Sequence, residues 1–111
     1  MLKYQTPNNI IEINKKVLYL NRAKKADKHD LLSYSKLVNT IKKVKNKKGD
    51  LKKKASTLLK ELTIGHVFAS GDRRTAFLTT VYFIRSNWKQ IDNVKESFDI
   101  LRRLGMEQRR R

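Results

Sequence analysis

DRRTAFLTTVYFIRSNW, residues 72–88, contains a run of ten residues, 75–84, that carries no charge and is bounded by Arg74 and Arg85. At helical spacing Phe77, Thr80, Val81, Ile84 and Trp88 fall on one side, while Leu78 and Phe83 lie off that stripe. A helix apolar over much of its circumference belongs in the middle of a bundle, so this segment is expected to be the central, most buried helix. It is too short to cross a bilayer, which takes about 20 apolar residues.

The flanking segments repeat the helical period. Upstream, Gly49-Asp50 breaks one helix and caps the next, whose inner face is Leu51, Ala55, Leu58, Leu59 and Leu62. Before it, Asp30 is expected to cap a helix bearing Leu31, Tyr34, Val38 and Ile41, widened by Leu37 and Val44. Pro7 introduces a first helix, capped by Asn8 or Asn9, with the stripe Ile10, Ile13, Val17 and Leu20; the polar residues 21–29 connect it onward. Downstream, Asp92 or Asn93 opens a fifth helix with Val94, Phe98, Leu101 and Leu104, and Gly105 is its natural stop. No alternating strand pattern and no internal repeat occurs. The expectation is an all-α, compact bundle of about five helices around the apolar one, a single domain over 1–111 with a basic tail from about 105.

Composition narrows the chemistry. The 111 residues hold 27 Lys+Arg against 10 Asp+Glu, a formal charge of +17, and no cysteine. Disulfides, a thiol nucleophile and Cys-ligated metals are therefore excluded. Residues 1–20 mix Lys, Glu and Asn into their apolar positions and lack the core of a signal peptide, so the expectation is a soluble, cytoplasmic chain with no membrane partner. The basic excess is clustered. Residues 42–54 hold eight lysines and one acid, Asp50, and Arg102, Arg103, Arg109, Arg110 and Arg111 close the chain. Such patches can bind nucleic acid by counterion release, although no aromatic residue interleaves the lysines.

The loop before residues 72–88 is the richest in special residues: His66-Val67-Phe68-Ala69-Ser70-Gly71-Asp72-Arg73-Arg74-Thr75-Ala76. A Gly-containing loop entering a helix N-terminus presents backbone N–H groups and a positive dipole end, which together cradle phosphate. Arg74, in the first turn, can fork onto phosphate oxygens, and Arg73 adds a second cation. His66, at the other lip, is a residue type that accepts a hydroxyl proton near neutrality. Phe68 would plug into the core and fix the loop. Base, anion cradle and Arg clamp are the parts of a phosphoryl or nucleotidyl transfer site.

This segment resembles the signature of the Fic/Doc superfamily, H-x-F-x-(D/E)-(G/A)-N-(G/K)-R. His66, Phe68, Gly71 and Arg74 match at the correct spacing, and Arg73 and Thr75-Ala76 resemble the death-on-curing (Doc) branch. The likeness covers roughly residues 4 to 104, with the specific part in the eleven residues from His66. It implies that His66 is the catalytic base on a target hydroxyl and that Phe68 anchors the loop. Gly71, Arg73 and the neighbouring backbone would form the anion hole, and Arg74 would hold the nucleotide phosphates. It further implies a toxin that moves AMP or phosphate from ATP or another nucleoside triphosphate onto a protein such as a translation factor, and that a partner antitoxin restrains. Ser70 stands at the family's acidic Mg²⁺ position and Asp72 at its Asn, so Asp72 would take over the metal. The inhibitory signature of self-restrained members is absent: Thr57 and Glu61 have its spacing, but Leu62 follows where Gly or Asn is required. Two other readings stay open: a catalytically degenerate binding module of the same fold, and a small basic nucleic-acid-binding helical protein.

Overall fold

The computed structural model describes residues 2–20, 30–88 and Arg102. Four helices run in order: α1 (Pro7–Leu20), α2 (Tyr34–Asn46), α3 (Leu51–Ile64) and α4 (Asp72–Ser86). The expected fifth helix, residues 21–29 and the basic tail lie outside the described residues, apart from Arg102, which is helical and exposed. None of the described helices is long and apolar enough to cross a membrane.

Each helix start has a local cause. At α1, the Thr6 hydroxyl accepts the Asn9 N–H (3.2 Å) and the Asn9 side-chain carbonyl accepts the Thr6 N–H (3.4 Å). This is a reciprocal capping box with Pro7 at the first helical position. Thr6 is thus the cap, and the expected Asn9 is its partner one turn on. At α3, the Asp50 carboxylate accepts the Lys53 N–H at 3.1 Å, as expected.

At α2 the expectation fails. Ser33, not Asp30, is the cap, its hydroxyl accepting the Lys36 N–H at 3.1 Å. Residues 30–32 are withdrawn from the helix because their backbone pairs with the loop before α4. Leu32 N–H donates to the Val67 carbonyl (2.8 Å), Ala69 N–H donates to the Asp30 carbonyl (2.9 Å), and Leu31 bridges antiparallel to Phe68.

Helix α3 supplies most of the apolar interior: Leu51, Ala55, Leu58, Leu59 and Leu62 are all buried, as their spacing predicts. Helix α4 packs on both α3 and α1, and α2 packs on α3 and, less extensively, on α1. The centre is therefore shared by α3 and α4, and α4 turns a different face inward from the one its sequence suggested. Thr75, Ala76, Thr79, Thr80, Phe83 and Ile84 are buried, whereas Phe77, Leu78, Tyr82 and Trp88 are exposed. The physical reason is volume. Four of the six inward residues, Thr75, Ala76, Thr79 and Thr80, are short, and Phe83 and Ile84 supply the bulk of this face. Helix α1 is rotated similarly, burying Asn14 and Leu18 while Leu20 faces out.

Two polar devices close the ends. Lys54, 8% exposed, donates from Nζ to the Val44 (3.0 Å) and Lys45 (2.8 Å) carbonyls, capping the C-terminus of α2 with a cation. Asn87 clasps the N-terminal segment: its Oδ1 accepts the Lys3 N–H (2.7 Å) and its Nδ2 donates to the Lys3 and Phe83 carbonyls (2.8 Å each). Tyr4 then stacks on Phe83, ring centroids 5.7 Å apart.

Candidate functional site

The connection between α3 and α4 is short and held from three directions. Helix α3 ends with the Gly65 N–H donating to the Glu61 carbonyl at 2.9 Å. The next residue, His66, adopts φ 49°, the left-handed conformation, and no other non-glycine residue among those described has a positive φ. This is the position after the cap where helices most often place glycine. The turn sends Val67 and Phe68 into the core, 1% and 2% exposed, and leaves His66 exposed to solvent. Phe68 is therefore buried as the anchor the sequence suggested. Its strand-like pairing with Leu31 is the first brace.

The second brace comes from α1. Asn14, 0% exposed, donates from Nδ2 to the Ser70 carbonyl (2.9 Å) and to the Thr75 hydroxyl (3.0 Å). It thus ties the loop and the first turn of α4 to one side chain. Gly71 sits against the same helix at φ 77°, where an added Cβ would lie 3.1 Å from Leu18 Cδ2 and 3.4 Å from Asn14 Nδ2. Both the backbone sign and the close approach call for glycine.

The third brace is Asp72, whose Oδ1 accepts the Phe68 N–H at 3.1 Å. A carboxylate in the first turn also suits the positive end of the helix dipole. Gly71 gives α4 no side-chain cap, and the first bond across the start of the helix runs from the Thr75 N–H to the Gly71 carbonyl (2.9 Å). Arg73 and Arg74 follow in that first turn and are exposed; Ser70, Gly71 and Asp72 are half-buried. The residues singled out from the sequence thus fall on one continuous segment, with His66 at its start and Arg73 and Arg74, all three exposed, in the first turn of α4 at its end.

Mg²⁺ prefers oxygen ligands, typically one or two carboxylates with phosphates and waters. Among the described residues no group of three or more His, Cys, Asp or Glu is placed to hold an ion. One oxygen of Asp72 is engaged by the Phe68 amide, and Ser70 contributes no carboxylate. Asp72 is the one carboxylate in residues 66–74. Asp72 serves the loop.

Sequence reasoning did not find Asn14 or the brace from residues 30–32. Asn14 did leave a trace, being the one polar residue among Ile10, Ile13, Val17 and Leu18 on the buried face of α1. Backbone pairing through residues 30–32 leaves none, since the groups involved are N–H and C=O. No family model, curated protein or solved structure matches this chain.

Proposed function

We propose that the loop at residues 66–74 is the site of a Fic/Doc-type transferase, which moves AMP or phosphate from a nucleoside triphosphate to a hydroxyl of a protein. The observation that carries the reading is His66: an exposed imidazole held in the left-handed conformation, where glycine would be less strained. A residue kept against its local preference, beside a helix N-terminus bearing Arg73 and Arg74, has the position of a base next to an anion cradle.

In the reaction the nucleotide's phosphates lie at the start of α4, with the Arg74 guanidinium forked onto their oxygens and Arg73 offsetting developing charge. The oxygen of the target hydroxyl attacks phosphorus while its proton passes to the His66 imidazole. Attack at the α position releases diphosphate and leaves AMP on the target. Attack at the γ position releases a nucleoside diphosphate and leaves phosphate. Mg²⁺ would arrive with the nucleotide as part of the substrate, and no step depends on a metal held by the protein. Phe68, Asn14 and Asp72 keep the loop in register; none of them moves a proton.

The partners follow from the same reading: a protein target such as a translation factor, and an antitoxin acting in trans. Glu61, the acid with the spacing of an inhibitory segment, pairs with Lys43 of α2 at 2.6 Å, and Thr57 donates to the Lys53 carbonyl, so neither is committed to the loop.

The test is transfer of label. Wild type and His66→Ala are incubated side by side in a cell extract with nucleotide labelled at the α or the γ position. Wild type should label a protein and the variant should fall by about 10²–10⁴-fold, the usual contribution of a general base. Label from α identifies AMP transfer, and label from γ alone identifies phosphorylation. Equal labelling by both proteins removes His66 from the mechanism.

A further inference from the structure

At the far end of α3 from His66 lies a second site of different chemistry. The C-terminus of α2 and the N-terminus of α3 meet in a tight corner around Gly49, whose φ of 135° no other residue type adopts readily. Lys42, Lys43, Lys45, Lys47, Lys48 and Lys53 are exposed around this corner and Lys52 is half-buried. Opposing charge is sparse. Asp50 caps α3, and Glu61 is taken by Lys43. Lys54 is buried under the α2 carbonyls. Among the described residues, Lys42, Lys45, Lys47, Lys48, Lys52 and Lys53 therefore surround the corner with one acid, Asp50, in it.

We infer that this corner binds the phosphate backbone of a nucleic-acid duplex, independently of sequence. Three observations select this partner among the anionic ones. No large apolar side chain between residues 35 and 63 is exposed. A protein interface would need an apolar or aromatic core and is ordinarily depleted in lysine. Single-stranded nucleic acid would need aromatic platforms for its bases, and among the described residues the ring that meets these lysines is Tyr4, which stacks on Phe83 with Lys45 and Lys54 over it at 5.7 and 5.4 Å. Among the described residues the corner offers flexible lysine ammonium groups and no planar side chain aimed at a base edge, which suits contacts to phosphate, the part of a duplex that carries no base sequence. Two helix ends joined by a capped turn hold the cations on a rigid wedge. The 14 residues of α3 place that wedge roughly 20 Å from His66, beyond the reach of the transfer site.

The experiment measures binding of the full chain to a 20-base-pair duplex of arbitrary sequence, in DNA and RNA forms, as salt rises from 50 to 200 mM. Each phosphate contact contributes about −0.9 to the slope of log K against log salt. Six contacts give a slope of about −5 and a loss of about 10³-fold over that range. Replacing Lys45, Lys47 and Lys48 by Gln should reduce the slope to about −3 and the loss to about 40-fold. Replacing the same three by Arg should keep the slope, and His66→Ala should bind as wild type does. A melting temperature unchanged in the Gln variant shows that the fold survives. An unchanged slope in that variant overturns the assignment. So does tighter binding to the single strand, to poly-glutamate or to phosphatidylserine vesicles than to duplex.

Discussion

Replacing His66 with glycine should stabilise the protein while destroying its proposed activity. At φ 49° the Cβ of residue 66 crowds the following carbonyl. That conformation costs an L-residue roughly 1–2 kcal/mol. Glycine escapes the clash but has more conformational freedom to lose on folding, which offsets about 0.4–1 kcal/mol. The balance favours His66→Gly by roughly 0.5–1 kcal/mol. For a domain of this size that is an increase in Tm of roughly 2–8 °C. Thermal denaturation followed by circular dichroism reads it directly, with His66→Ala as control. Alanine keeps the Cβ and the strain, so its stability should stay within about 0.5 kcal/mol of wild type, the usual range for an exposed substitution. Both variants should lose label transfer. A lower Tm for His66→Gly than for wild type refutes the reasoning, because the imidazole would then be holding the fold together.

Gly71→Ala should destabilise by about 1–2 kcal/mol, since φ 77° is unfavourable to Cβ and Leu18 Cδ2 lies 3.1 Å away; a denaturant midpoint lower at constant slope is the readout. Asn14→Ala leaves the buried Ser70 carbonyl and Thr75 hydroxyl without its amide and should cost about 1–3 kcal/mol, with faster hydrogen exchange in the loop than in α3. Ser70→Asp puts a second carboxylate two residues before Asp72, so nucleotide binding should become more dependent on Mg²⁺ in titrations with and without chelator; no change would show that a cation has no place in the loop.

Where elements form was legible in the chain because it depends on local physics. Asp50 one residue before Leu51, and the Leu58-Leu59-Leu62 spacing, specify α3 almost completely. Which face turns inward was less legible, because that depends on what lies opposite. Phe77 and Val81 read as part of the core stripe of α4, yet Phe77 is exposed and Val81 only half-buried, while Thr75, Ala76, Thr79, Thr80 and Phe83 take the inner face. The start of α2 was misread for a related reason. Asp30 is a good cap in isolation, but the backbone of residues 30–32 gains hydrogen bonds from Val67 and Ala69 that side-chain patterns do not announce. At the candidate site the pattern of residue types was visible, from His66 through Phe68 to Arg74. The strain at His66 and the buried amide of Asn14 beneath the loop were not, since both arise from tertiary packing.

Calorimetric titration of a nucleoside triphosphate against wild type, Arg74→Ala and His66→Ala tests most directly whether this loop joins a phosphate cradle to a base. Losing a charge-assisted, bidentate contact costs about 1.5–3 kcal/mol, so Arg74→Ala should bind roughly ten-fold or more weakly. His66→Ala should bind as wild type does, because the base acts on the target hydroxyl and not on the nucleotide. Equal affinity for wild type and Arg74→Ala, or a comparable loss in His66→Ala, would contradict the assignment of the two lips of the loop.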